Sequence, residues 1–433
     1  MKKYFQIKYI LVIYVLILIN SKRLIFTFKE IAINNTSTEN EDPNIFYNKI
    51  YLNNIYTKIK VGNPSQEILA TFNSESEYLM IKDIKKLYNI EGYKTYNYIN
   101  SSKTFKNISS FNNEEFITKG YSIINETISL FENKENEKDK EIQNFQMQLV
   151  NNFDYNNKSK SLSAEIGLKS INTNNSFINQ LLIKKIIDNN IITIKYISDD
   201  YGYIYLGENQ DIKGENKLIN IQQNIYDSSL FQIQMDYVFI EYKGGRTFFS
   251  DINLIFFLEQ GIILASDGYQ KSINETFFKE KIENNICFEK KIYLNMDDFS
   301  IINCKDNINL DNFPTLNFEI NHKSFSLNSH DLFKRINHIY YFLIAFSPEI
   351  KFWVLGKPFL KKFPLTIDYD KNKILFYEES KEDEDGTNAF LILIVIIIAI
   401  LALTIIIFIV IKLKNKKKLN SNDINSISGS LIK

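Results

Sequence analysis

The sequence predicts a mostly β protein of two lobes, carried outside a membrane on one C-terminal transmembrane helix. Three observations predict it. Short runs of β-branched and aromatic residues alternate with Asn-, Asp- and Gly-containing turns through the interior. Residues 22–388 lie between the hydrophobic ends of a 433-residue chain, enough for two well-buried lobes. Residues 389–411 form an uncharged run of 23, rich in Ile and Leu.

The strands are expected at 56–61, 68–72, 78–81, 192–197, 203–206 and 230–240. The best helical spacing lies at 177–189, through Phe177, Leu181, Leu182, Ile186 and Ile187. The polar stretch 132–140 reads as a long hairpin tip, and no tandem repeat is visible. With 34 Phe and 26 Tyr the interior is no disordered tail. Lys+Arg and Asp+Glu balance at 51 each, so charge does not point to a nucleic-acid partner.

At about 1.5 Å per residue, the 389–411 run crosses a hydrocarbon core of roughly 30 Å. Lys412, Lys414, Lys416, Lys417 and Lys418 follow it, and Glu382, Asp383, Glu384 and Asp385 precede it. The positive-inside rule puts the tail, 412–433, in the cytosol and the large domain outside. Residues 381–388 then form an acidic stalk. Lys2, Lys3 and Lys8 before the apolar stretch 9–19 read as a signal peptide, 1–21, with an uncleaved anchor as the alternative. The expected localisation is a type I single-pass membrane protein of the secretory pathway or cell surface, its large domain luminal or extracellular.

N-glycosylation sequons begin at Asn34, Asn35, Asn100, Asn107, Asn125, Asn157, Asn174 and Asn274. The two cysteines, Cys287 and Cys304, read as a disulfide in an oxidising compartment, with two reduced core thiols as the alternative.

Several segments carry a family resemblance. Tyr56-Thr-Lys-Ile-Lys-Val-Gly62-Asn-Pro64-Ser-Gln66 is similar to the first strand and turn of pepsin-like aspartic proteases, Tyr-x-x-x-Ile-x-Ile-Gly-x-Pro-x-Gln. Glu126-Thr127-Ile128, Gln143 to Phe145, Ala164-Glu-Ile166-Gly167-Leu168 and Ile204-Tyr-Leu206-Gly207 resemble later first-lobe segments of that family. Phe231-Gln-Ile233, Phe313-Pro314-Thr-Leu316-Asn-Phe318 and Phe352-Trp353-Val-Leu355-Gly356 resemble its second lobe, with Phe359-Leu360, Ile367-Asp368-Tyr-Asp370 and Ile374-Leu-Phe376 after them. In order and spacing the matches cover roughly residues 50 to 380. The resemblance implies a two-lobed pepsin-like acid protease fold, divided here as 45–200 and 201–380. It also implies aspartic-type endopeptidase chemistry and a hairpin formed by Cys287 and Cys304.

The chemistry is where the chain departs from the pattern. The family's Asp-Thr-Gly-Ser follows its second strand; this chain has Phe72-Asn73-Ser74-Glu75-Ser76, with Asn73 at the aspartate and Glu75 at the glycine. The second catalytic segment is expected between residues 240 and 287. Aligning the apolar run 262–264 puts Ala265 at the second aspartate, and a shifted register uses Asp267-Gly268 instead. Aspartic proteolysis needs two carboxyls that share one proton, one acting as base on a water and the other as acid. Asn73 cannot take that proton near neutral pH, and Ala265 has no polar side-chain atom. The flap stretch 111–120 also lacks the family's Tyr-Gly pair.

Other chemistry fares worse. His322, His330 and His338 are spaced by eight, which fits no compact metal motif, and no cofactor is expected. The expected function is a catalytically inactive pseudo-protease binding a peptide or protein through its cleft. An active aspartic endopeptidase with a non-standard site and a structural surface glycoprotein are the alternatives.

Overall fold

The computed structural model describes residues 22–30, 46–47, 50–51, 55–82, 102–111, 121–130, 140–150, 164–169, 173–207, 216–221, 231–249, 253–294 and 297–379. The segments expected as signal peptide, stalk, transmembrane helix and tail, and the greater part of those expected as flap and hairpin tip, lie outside them. Among the described residues no helix is long and apolar enough to cross a membrane.

The strands fall in two series. The first comprises β1 (Leu24–Glu30), β2 (Ile55–Val61), β3 (Gln66–Asn73), β4 (Leu79–Lys82), β5 (Lys106–Phe111) and β6 (Tyr121–Leu130). It continues with β7 (Lys140–Val150), β8 (Ala164–Gly167), β9 (Ile191–Tyr196), β10 (Tyr201–Leu206) and β11 (Asn216–Ile221). The second begins with β12 (Phe231–Gln234), β13 (Tyr237–Tyr242), β14 (Gly245–Phe249), β15 (Asn253–Phe256) and β16 (Ile263–Ser266). After a helical stretch come β17 (Cys287–Leu294), β18 (Asp297–Lys305), β19 (Thr315–Ile320), β20 (Lys323–Leu327) and β21 (Phe333–Ile336). The last are β22 (Ile339–Phe342), β23 (Ile344–Ser347), β24 (Trp353–Leu355), β25 (Leu365–Asp368) and β26 (Lys373–Glu379).

Alternation builds these strands. In β2, Ile55, Thr57, Ile59 and Val61 are buried while Tyr56, Lys58 and Lys60 face outward. Gly62, at φ 87°, makes the turn into β3, a conformation that disfavours any residue with a Cβ. β3 then buries Ile68, Ala70 and Phe72 on the same face.

Three sheets result. A 13-stranded sheet runs β11-β26-β25-β9-β10-β1-β2-β3-β8-β4-β7-β6-β5, and β2 also pairs with β6. A 9-stranded sheet runs β12-β15-β24-β16-β23-β18-β22-β21, with β17 beside β18. A 4-stranded sheet, β14-β13-β19-β20, completes the second half. Cys287 lies directly opposite Cys304 on β17 and β18, and the two are joined by a disulfide.

Three expectations need correction. Residues 230–240 are not one strand, because Asp236 interrupts them. Its N–H donates to Glu319 O and its carboxylate accepts from His322 N, which turns the chain from one sheet to another. The 177–189 helix stops at Ile183, where Lys184 caps it and Lys185 adopts φ 54°. The lobe division at 200/201 cuts a β-hairpin, since β9 pairs with β10 and also with β25. One shared sheet therefore takes strands from both halves, and β1, outside both expected lobes, lies between β10 and β2.

Candidate functional site

Two five-strand motifs repeat across the molecule. In the first, β3 is antiparallel to β2 and parallel to β8, β8 is antiparallel to β4, and β4 is parallel to β7. In the second, β15 has the same relations to β12 and β24, β24 to β16, and β16 to β23. The registers agree residue by residue. Phe72 opposes Ile166 and Asn73 opposes Gly167; Phe256 opposes Leu355, so Phe257 and Gly356 follow as the next pair. Phe257 N donates to Leu355 O at 3.1 Å. By topology the counterpart of Asn73 is Phe257.

The two glycines occupy equivalent places because a loop crosses each of them. A Cβ on Gly167 would lie 2.6 Å from Ser76 O, and one on Gly356 only 2.1 Å from Gln260 O. Neither position has room for a side chain, so both loops are held against the strand they cross.

The first loop is built around the Asn73 carboxamide. Its Oδ1 accepts from Glu75 N at 2.7 Å and Ser76 N at 3.1 Å, which fixes the oxygen and aims Nδ2 outward. That Nδ2 donates to Glu165 Oε1 at 2.7 Å. An amide alone can do both. An aspartate would satisfy the two N–H groups but set a second carboxylate against Glu165. Asn73→Asp is therefore expected to cost about 1–3 kcal/mol near neutral pH, less in acid where one of the two carboxyls takes up a proton. Denaturant unfolding of the variant from neutral to acid pH checks this.

In the second loop, Phe257 is half-buried, Leu258 is buried and Glu259 reaches across to the first loop. The Glu259 carboxyl accepts from Ser74 Oγ at 2.6 Å and from Ser74 N at 3.2 and 3.3 Å. Burial pushes its pKa from 4.5 up to about 7, the Ser74 bonds oppose that, and the neighbouring Glu75 carboxylate adds to it. Ser74 is 2% exposed, so its hydroxyl is a structural partner of Glu259. The arrangement offers one near-neutral carboxyl, tied to a hydroxyl and an amide. Neither Asn73 nor Phe257 carries a carboxyl.

The sequence model of the eukaryotic aspartyl protease family matches residues 54–378. The chain belongs to that family. Among solved structures it is similar to conglutin gamma, a basic 7S globulin from lupine seeds, at 10% identity and a TM-score of 0.60. That match covers 83% of this chain and 96% of the globulin, and it establishes the likeness of fold alone. No curated protein sequence matches.

The family's second aspartate was expected at Ala265, and the structure places Ala265 elsewhere. It lies inside β16, fully buried opposite Phe346, in the register that Ile81 occupies in β4. Asp267 is exposed in the first turn of the helix Asp267–Ile273, where Ser266 accepts from Gly268 N. The correction is one of register: the apolar run 262–264 enters β16, while 254–256 forms the strand before the loop.

Among the sequons, Asn174 is exposed in a turn. Asn274 donates to Glu289 at 3.0 Å, and Asn125 lies within β6 with its Oδ1 buried. Asn107 lies on β5, and Asn34, Asn35, Asn100 and Asn157 fall outside the described residues. The three histidines stand apart on the surface. Each has its own aspartate: His322 with Asp236, His330 with Asp311 and His338 with Asp306.

Proposed function

We propose that this chain is a proteolytically inactive family member that binds a peptide or protein segment between its lobes. The observation that carries the reading is the pair Asn73 and Phe257 at equivalent loop positions. General acid–base catalysis contributes about 10²–10⁴-fold per group. Asn73 has no titratable proton, and its amide is already committed to Glu165. Phe257 has no polar side-chain atom at all. Residual hydrolysis would have to rely on Glu259 alone, whose carboxyl is taken up by Ser74. The seed globulin of the same fold is consistent with an architecture not tied to one activity.

In the same reading, the 389–411 run anchors the chain as a type I membrane protein, with the large domain luminal or extracellular. That domain is a glycoprotein, and among the described residues Asn174 is an exposed acceptor. The test incubates detergent-purified full-length chain with a random peptide library and recovers the bound fraction by mass spectrometry. Enrichment of intact peptides sharing a side-chain pattern is the expected result. No enrichment, from a chain shown to be folded, overturns the reading.

A further inference from the structure

A cavity of about 650 Å³ opens on the second lobe. It lies between the end of β13, the helix Lys279–Glu283 and the chain that leaves β18. Small-ligand sites fall in the range of about 300–1,000 Å³, so the space suits a compact molecule. None of its residues belongs to the loops that carry Asn73 and Phe257.

The walls are made where elements end. β13 finishes on Glu241 and Tyr242, and Lys243, at φ 48°, turns the chain toward β14. The helix ends at Asn284, whose N–H donates to Glu280 O at 3.1 Å. Beyond β18, Asn309 Oδ1 accepts from Asp311 N at 3.0 Å and caps the 3-10 turn Leu310–Asn312. These ends bring Asn284, Asn307, Asn309 and Asn312 around one cavity.

The charged groups there are mostly engaged with one another or with rings. Glu241 pairs with Arg246 at 3.4 Å, and Asp311 with His330 at 3.1 Å. The Lys243 and Lys281 ammoniums lie 4.9 and 4.5 Å from the ring centroids of Tyr242 and Phe313. No set of cations converges as an anion would need. The carboxamides of Asn284, Asn307 and Asn312 are a different case: no hydrogen bond among the described residues uses them. A carboxamide presents an acceptor and two donors in one plane. That arrangement suits neighbouring hydroxyls, each of which donates and accepts. Ile286 and Ile308 add apolar surface to the same cavity, which suits C–H groups.

We propose that this cavity binds a neutral saccharide through Asn284, Asn307, Asn309 and Asn312. The inference is independent of the peptide reading, since it uses none of the same residues. An outside oligosaccharide and an N-glycan of this chain present the same chemistry, and the test separates them.

Full-length chain, in a detergent without a sugar head group, is applied to an array of neutral, sialylated and sulfated oligosaccharides. The array is read before and after the chain's own N-glycans are removed enzymatically. Wild type is compared with Asn284→Leu and with Asn307→Ala, Asn312→Ala, and near-UV circular dichroism checks that each is folded. All three side chains are exposed, so folding is expected to be unchanged. Wild type is expected to retain neutral glycans, and the double variant to bind them about tenfold or more weakly. Asn284→Leu keeps the bulk, loses the polar atoms, and is expected to weaken binding as well. Binding gained only after deglycosylation assigns the cavity to the chain's own glycan, and binding in both states to an outside one. Retention of charged glycans alone, retention unchanged in the double variant, or none in either state overturns the proposal.

Discussion

Gly356→Ala is expected to destabilise the second lobe by about 3 kcal/mol or more, a larger effect than most single substitutions produce. Gly356 has φ −112°, so the need is for space and not for an unusual backbone conformation. An added Cβ would lie 2.1 Å from Gln260 O and 2.8 Å from Gln260 C. Both are main-chain atoms, and Gln260 O also accepts from Lys357 N at 2.8 Å. Relief would require moving the loop, which would strain the Glu259 bonds to Ser74 and the Tyr51 contact to Gln260. Gly167→Ala meets its nearest atoms at 2.6 Å and is expected to follow the same course less severely. Equilibrium denaturation with tryptophan fluorescence reports the change directly, because Trp353, the single tryptophan, lies three residues before Gly356 and is fully buried.

Glu259→Gln is expected to abolish most of a stability change between pH 4.5 and about 7. The folded-state pKa of Glu259 is raised above its ordinary value of 4.5 to about 7. In that window the folded protein holds a proton that the unfolded chain has released. The stabilisation is therefore complete below pH 4.5 and is lost as pH rises through about 7. At about 1.4 kcal/mol per pH unit the loss reaches roughly 3 kcal/mol, a ceiling because Glu259 keeps some contact with solvent. Glutamine is neutral throughout and can still accept from Ser74 N. The variant is expected to match wild type in acid and exceed it by about 1–3 kcal/mol at mildly alkaline pH. Parallel pH profiles of unfolding free energy for the two proteins would settle it. A wild-type profile that is flat, or that rises across the window, contradicts the buried interlobe contact.

Much of the fold is legible in the sequence because its determinants are local. The run from Tyr56 to Gln66 encodes strand, turn and strand through alternation and Gly62, and Asn73 follows at a fixed distance along β3. Trp353 to Gly356 is equally readable, since a buried strand must end where a loop crosses it. The second loop is hidden by its own apolar residues. A polar side chain at 257 would end the apolar run at residue 256, but Phe257 and Leu258 extend it and erase the edge that marks the loop. The run 262–264 then offers a better-looking boundary at Ala265, although it belongs to the next strand. The matching spacing offered a signal: Leu79 lies seven positions after Phe72, as Ile263 does after Phe256. Glu259 gives no such sign, because a charged residue in a loop reads as solvated until the opposite lobe is seen.

The central claim is the loss of hydrolysis at the Asn73 and Phe257 loops, and peptide-bond turnover tests it most directly. Full-length chain is incubated with an unfolded protein substrate from acid to neutral pH, and new termini are counted by mass spectrometry. Wild type and the Asn73→Ala, Glu259→Gln double variant are predicted to be indistinguishable from substrate alone. Cleavage by wild type that disappears in a folded double variant would contradict the account.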